Sequence, residues 1–301
     1  MARLNIVHMQ GVLAADPTIV PNGEKSRVAR ASIVVSRDKS RKIENGVKHL
    51  MTDRPYIITA EDEVVDQIDK TKQYDIVLVK GVLSTRKVPK TSYCAECGEK
   101  NRVEGILTYI TPICVEKIGH VKDDDEMIAY LSRKVVYQKS NEVLAFGRLT
   151  RDPKKVSPKS GLVVTQYQIA LNRKYIIRDD PPEVRADYPW VKSYGSAAEE
   201  DRFRLHKDSI VYLDAYLQTR NVNKHQTCVK CGKVYDWTDR AMEIVPYDTE
   251  YVLRYHSDEE IEQIKKDRSA QAWRDVFGAD LSVADEITDE DVKEGMDDFK
   301  E

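Results

Sequence analysis

Four cysteines carry the first chemical signal in this chain: Cys94 and Cys97 in one CxxCG, and Cys228 and Cys231 in a second, 134 positions later. Two thiolates spaced in this way reach one ion across a turn, and the glycine lets the backbone fold back, which makes each motif a zinc knuckle. One knuckle supplies two ligands, whereas a structural zinc site takes four. The economical arrangement closes one tetrahedral zinc site from Cys94, Cys97, Cys228 and Cys231 and clips two halves of the chain together. Pairing between chains, or two sites completed by Cys114 and His225, remain open, as does a dithiol redox pair. A redox CxxC normally opens a helix, and these lie in turns between strand-like segments. Cys114 falls opposite Asp248 and reads as a strand residue.

Aromatic and basic residues form the second set. Tyr167, Tyr175, Tyr188, Trp190, Tyr194 and Tyr216 are interleaved with Arg148, Arg173, Lys174, Arg178, Lys192 and Arg220. The first half has cations at Arg27, Arg30, Arg37, Lys39, Arg41, Lys42, Arg86 and Lys87, with fewer aromatics. Aromatic faces stack unpaired bases at about 1–3 kcal/mol each, and a basic groove follows the phosphates. About half of the tyrosines are expected in barrel cores or corners, as is usual for this residue type. Lys39 stands opposite Tyr175, which makes the first half the more electrostatic and structural of the two.

The elements that position these residues occur twice. Asn5 to Asp16-Pro17 reads N-x5-G-x-L-x2-D-P, and Asn141 to Asp152-Pro153 repeats it at an offset of 136. Ile33 to Arg37 matches Ile169 to Arg173, and Ile76 to Val88 matches Ile210 to Val222. The chain is a tandem duplication. Alternating apolar segments, rich in β-branched residues, predict strands at Leu4–Val7, Ala31–Val35, Ile76–Val79 and Ile106–Ile110. In the second copy they fall at Val143–Phe146, Val163–Leu171, Ile210–Leu217 and Met242–Val245. Short helices are predicted at Asp62–Lys70 and Ala197–His206. Five strands with a helix between the third and fourth is the layout of the OB-fold barrel, so the expected class is all-β with two tandem barrels.

The domain boundaries follow. Residues 1–118 and 141–254 form the two barrels with their CxxC hairpins, and 119–140 is a linker with an acidic helix start at Asp123-Asp124-Asp125. Residues 255–278 hold a helix opened by the capping box Ser257-x-x-Glu260, with Ile261, Ile264, Trp273, Val276 and Phe277 as apolar positions. Residues 279–301 form an acidic tail expected to be disordered.

Of the 301 residues, 41% are hydrophobic and 33% charged, with a formal net charge of −3. The last seventeen residues carry −7, which leaves the other 284 at +4. A mildly basic body with an acidic tail suits a polyanion partner. No apolar run approaches the roughly 18 residues of a membrane helix, and Met1–Gln10 has no export signal. Cysteines grouped for metal point to a reducing compartment, and the expected location is cytoplasmic. No Gly-x4-Gly-Lys-Ser/Thr loop and no paired histidines argue for an enzyme.

The second copy resembles bacterial and phage single-stranded DNA-binding proteins. Val143 to Pro153 looks like that family's first strand, and Gln168-Ile169-Ala170-Leu171-Asn172-Arg173 like its third-strand segment. Ser193-Tyr194-Gly195-x2-Ala198-Glu199 and Leu217-Gln218-Thr219-Arg220 resemble two further stretches. The resemblance covers about 80 residues of repeat two and, more weakly, the same span of repeat one. It implies a non-enzymatic, sequence-independent binder of single-stranded DNA in replication, recombination or repair, associated with the nucleoid. It places stacking aromatics at Tyr175, Trp190 and Tyr194. The phosphate cations expected beside them are Arg148, Arg173, Lys174, Lys192 and Arg220, with Arg37, Lys39 and Arg86 from repeat one. The tip Asp297-Asp298-Phe299 resembles the family's docking tip for replication and repair proteins, displaced by two residues. Two barrels in one chain replace two subunits, so a homodimer would equal the familiar tetramer. An RNA-binding or protein-assembly module clipped by zinc is the alternative reading.

Overall fold

The computed structural model describes residues 4–23, 26–44, 47–137, 139–156, 161–177 and 185–277. Repeat one comprises β1 (Asn5–Leu13), β2 (Thr18–Pro21), β3 (Arg27–Glu44), β4 (Val47–Asp53), β5 (Tyr56–Thr59), α1 (Asp62–Asp69), β6 (Asp75–Tyr93) and β7 (Lys100–His120). The linker holds α2 (Asp124–Leu131) and α3 (Lys134–Tyr137). Repeat two comprises β8 (Asn141–Leu149), β9 (Lys154–Val156), β10 (Val164–Asn172), β11 (Ala186–Asp187), β12 (Trp190–Tyr194), α4 (Gly195–Arg204), β13 (Ile210–Thr227) and β14 (Val234–Leu253). Helix α5 (Asp258–Phe277) belongs to a separate compact unit that starts at His256.

Each repeat closes a five-stranded barrel. In the first, β1 pairs with β6 and then bends onto β3, and β5 runs parallel to β7. In the second, β8 pairs with β13 and β10, and β12 runs parallel to β14. This is the expected OB architecture. The bend requires the glycine of N-x5-G, because a β-carbon on Gly11 would lie 2.3 Å from the Val34 carbonyl oxygen. At Gly147 it would crowd Leu171 and Ile169 at 3.0 and 3.1 Å. The asparagine of the same motif acts as an extra rung: Asn5 donates to Leu83 O and accepts from Leu83 N, at 2.9 and 2.8 Å. Asn141 does the same with Leu217, at 2.8 and 2.9 Å.

The two barrels are continuous. Strand β1 pairs antiparallel with β8, Val7 facing Val143, Asn5 facing Ala145 and Met9 facing Asn141. Val7 and Val143 are equivalent positions of the two copies, so the pairing runs through a pseudo-twofold axis. One buried core spans both repeats, from Val7, Ile33 and Leu83 to Ala145, Ile169 and Leu213. The short strands β5 and β12, which carry Tyr56 and Trp190, were not marked as strands by the sequence pattern.

A reciprocal clasp sits on either side of this axis. Arg37 binds Asp53 through two nitrogens at 2.9 and 2.7 Å, and Asp53 Oδ1 accepts from the backbone N and hydroxyl of Thr219 at 2.7 and 3.2 Å. Its counterpart joins Arg173 to Asp187, whose Oδ1 accepts from the backbone N and hydroxyl of Thr85 at 2.6 and 3.2 Å. Both carboxylates are fully buried. The aspartate of one repeat and the Thr of Leu-x-Thr-Arg of the other therefore join the barrels, with Arg37 and Arg173 holding the carboxylates from within their own repeats.

The linker is a packed element. Met127, Leu131 and Val136 bury against Val12, Val34 and Ile76 of repeat one, and Ser140 exchanges hydrogen bonds with Ser36. Asp123 caps α2 by accepting from Glu126 N at 2.9 Å, and Ser257 caps α5 in the same way at 3.3 Å. The two caps are 134 residues apart, so the duplication runs on past the barrels. Of the apolar face expected on α5, the side chains from Trp273 onward lie outside the described residues.

Helix α4 rests on Asp201, which is buried and accepts from Tyr251 Oη at 2.8 Å. Burial pushes this carboxyl up to about 6, against the Ser193, Tyr251 and Tyr167 hydroxyls that favour the charged form.

Three outcomes follow. Asp187→Ala leaves Arg173 buried without its partner and should cost about 3–5 kcal/mol, read by urea denaturation. Glu63→Ala, on the exposed side of α1, should stay within about 0.5 kcal/mol. Asp201 ionises near pH 4 when unfolded but near 6 when folded, so its own contribution to stability is fully present below pH 4 and is lost as pH rises from 4 through 6, by about 3 kcal/mol. Asp201→Asn should abolish that fall in a series of melts across pH.

Candidate nucleic-acid interface and metal centre

The hairpins β6–β7 and β13–β14 outrun their barrels and stay paired to Tyr93–Lys100 and Thr227–Val234. Twofold placement brings their tips together. Cys94 Sγ lies 3.7 Å from Cys231 Sγ and Cys97 Sγ 3.6 Å from Cys228 Sγ, with all four sulfurs within 4.8 Å of one another. A tetrahedral thiolate site with metal–sulfur bonds of about 2.3 Å has sulfur–sulfur edges of about 3.8 Å. The cluster fits a metal ion of that kind, drawn from both repeats of one chain. Gly98 and Gly232, at φ +69° and +70°, let each turn donate back to its first cysteine at 2.9 and 3.0 Å.

The surroundings brace the cluster. Tyr235 and Trp237 pack on Cys94 and Cys228. Ser92 bonds to Gln226 and to Tyr235 Oη at 2.8 and 2.7 Å, and Lys90 holds both oxygens of Asp239 at 2.7 Å. The N–H of Cys231, then that of Lys230 and the Asn101 amide, lower the Cys228 thiol to about 6. Cys97 is pushed up to about 12: the Glu99 N–H opposes this, but burial and the three neighbouring thiols prevail. The two shifts are opposite because adjacent thiols this close disfavour a second negative charge beside the first.

The barrel faces carry the aromatics. Trp190 lies half-buried with the Arg151 guanidinium 5.3 Å from its ring centroid. At the equivalent position of repeat one, Tyr56 carries Arg240 at 5.0 Å, and Arg240 also donates to Tyr56 Oη at 3.2 Å. Both rings line a cleft of about 330 Å³ between the barrels. A larger groove, about 1010 Å³, crosses repeat one past Arg30, Ile58 and Arg86. Tyr175 and Lys174 are exposed on the loop after β10, and Arg148 is half-exposed, 3.5 Å from Asp208. Tyr194 is half-buried and donates to Gln218 at 3.1 Å.

Several expected phosphate ligands have other tasks, which corrects their reading. Arg173, 2% exposed, and Arg37, 10% exposed, are held in the clasp. Lys192 is buried against Glu243 at 3.2 Å, and Arg220 forks onto the same carboxylate at 2.7 and 3.0 Å. Burial lowers the Lys192 pKa, and Glu243 partly offsets this. The Lys39 side chain lies outside the described residues, as do Arg178 and the tip Asp297, Asp298 and Phe299. Tyr56, Arg151 and Arg240 escaped the sequence reading as site residues. The offset of 134 that sets Tyr56 against Trp190 was the available signal.

Two OB barrels with aromatic faces and a shared thiol centre define the class of the molecule. Residues 140–234, the greater part of repeat two, match the Single-strand binding protein family. The single-stranded DNA-binding protein of Lactiplantibacillus plantarum is 35% identical over 86 residues, 29% of this chain and 42% of that one. Single-stranded DNA-binding protein 1 of Staphylococcus aureus is 35% identical over 81 residues, 27% of this chain and 51% of that one. The chain thus spans about half the length of these relatives or less. The wild-type single-stranded DNA binding protein from Thermus aquaticus shares the fold at a TM-score of 0.55, with 15% identity over 86% of this chain and 97% of that one. No described helix is long and apolar enough to cross a membrane.

Glu243→Gln should leave Lys192 and Arg220 with a neutral partner in a buried position and lower stability by about 2–4 kcal/mol. Lysine-selective labelling should then reach Lys192 at a lower denaturant concentration.

Proposed function

We propose that this protein binds single-stranded DNA without sequence preference, by stacking bases on Tyr56, Trp190, Tyr194 and Tyr175 beside a basic surface. The observation that carries the reading is the family match over residues 140–234, laid on a barrel face whose tryptophan already accepts a cation. Phosphate charge meets Arg30, Arg86, Arg148 and Lys174, and a binder of this type protects unwound strands rather than transforming them. Replication, recombination or repair proteins dock on the tip Asp297-Asp298-Phe299, and the acidic tail competes with DNA for the groove. The protein works in the cytoplasm beside the nucleoid, as a homodimer whose four barrels equal a tetramer of single-barrel subunits.

One structural Zn2+ per chain, held by Cys94, Cys97, Cys228 and Cys231, fixes the two hairpins against each other. When bound, the ion neutralises the thiolate charge, and the protein supplies the donor set, the two turns and the aromatic backing.

Fluorescence titration with oligo-dT, an RNA of equal length and a DNA duplex tests the first reading. Tight, tryptophan-quenching binding to oligo-dT that weakens with salt supports it, and equal affinity for duplex overturns it. Metal analysis tests the second, with one zinc per chain expected. Cys97→Ser and Cys231→Ser should each abolish binding of the ion and lower the melting temperature.

A further inference from the structure

The two barrels share a fold but not the chemistry of their faces, and the difference is concentrated at matched positions. Repeat two places Glu243, 4% exposed, in the middle of its face. Lys192 and Arg220 both turn onto that carboxylate. The equivalent of Glu243 in repeat one is Tyr109, and the equivalent of Lys192 is Ile58, each 134 residues earlier. Arg220 has Arg86 as its counterpart, exposed at the rim of the repeat-one groove. One further exchange points the same way. Arg30 on β3 is exposed and lines that groove, while its counterpart on β10 is Gln166, 136 residues later.

These exchanges produce two different surfaces. On repeat two, one buried acid draws both cations onto itself and offsets one of their two charges. On repeat one the same region is apolar, with Ile58, Val88 and Leu107 as a floor and arginines along the edges. Among the described lining residues of that groove Asp16 is the one acid, and its Oδ1 already accepts from Gln73 N at 2.8 Å. A partly compensated face attracts a polyanion weakly, whereas an apolar floor edged by cations offers both stacking area and phosphate partners. Tyr56 sits where the groove meets the inter-barrel cleft. Arg240 lines the cleft and braces the ring from that side, with the groove on the other.

We infer that repeat one, not repeat two, is the principal single-strand site, with Tyr56 as its stacking platform and Arg30 and Arg86 as its phosphate partners. This rests on the reading of the chain as a single-strand binder and assigns the grip within it. Repeat two supplies Arg240 across the cleft and extends the path at Trp190. The division is the reverse of the one drawn from counting aromatics.

The test compares matched variants of the full zinc-loaded chain in oligo-dT titrations at several salt concentrations. Tyr56→Ala should weaken binding about tenfold or more, while Trp190→Ala should weaken it about threefold or less. Tyr56→Phe keeps the ring and should keep the affinity, which separates stacking from the hydroxyl contact with Arg240. Arg30→Gln, which copies Gln166, together with Arg86→Ala should lower the slope of log affinity against log salt by about 1.4, two phosphates at about 0.7 each. Melting curves establish that each variant is folded. A Trp190→Ala loss equal to or larger than that of Tyr56→Ala, or an unchanged salt slope, overturns the assignment. Failure of the unmodified chain to bind oligo-dT overturns the proposed function itself.

Discussion

The antiparallel pairing of β1 with β8 is the constraint on which the remaining structure depends. Because Val7 meets its own counterpart Val143, everything at a fixed distance from that pair in one repeat recurs in the other. An isologous contact repeats each of its interactions. Here the repetition brings Asp53 to Thr219 and Asp187 to Thr85, and it carries two hairpin tips to a common point where four sulfurs meet. Once the register of that single strand pair is set, each of these groups meets its partner in the opposite repeat. A slip of one residue would turn the inward side chains of β1 outward and separate the cysteines.

The clasp is the costly part of this arrangement. Two guanidinium–carboxylate pairs are buried, and a buried ion pair recovers its desolvation only when the remaining lone pairs are satisfied. Asp53 and Asp187 achieve this by accepting from the backbone N–H and the hydroxyl of a threonine in the opposite repeat, in addition to the arginine. The same threonine oxygens accept from Arg54 N and Tyr188 N at 3.0 Å. A fully connected network of this type specifies one relative placement of the barrels, because any other leaves a buried charge alone. The placement in turn sets the cleft in which Tyr56 and Trp190 lie.

Much of this was legible in the sequence, and the limits have physical causes. The duplication, the barrels, α1, α4 and the cysteine centre follow from spacing, since spacing encodes strand length and turn position. The asparagine and glycine of N-x5-G were readable as a repeat but not as a ladder rung and a crossing point, because their partners lie 23 to 78 residues away. Arg37 and Arg173 were read as ligands for phosphate because a cation beside an aromatic run looks alike whether it faces solvent or an aspartate 14 to 16 residues on. Strands β5 and β12 were missed since each is only 4 or 5 residues long and carries the aromatic stretch that drew the functional reading. Arg240 had no local signature, because its role arises from a ring 184 residues earlier.

Duplication within one chain also permits what a symmetric dimer does not. In a homodimer, a substitution on one face appears on both, so a glutamate that neutralises one surface neutralises its mate. Here Glu243 and Tyr109 occupy the same place in two copies of one barrel and differ freely. The scaffold contacts have stayed matched: Asn5 with Asn141, Gly11 with Gly147, Asp53 with Asp187, Thr85 with Thr219. These residues answer to the pseudo-twofold, where a change on one side breaks a contact on the other. The open faces answer only to solvent and ligand, so they are where the repeats diverged in charge and apolar area while the frame between them stayed symmetric.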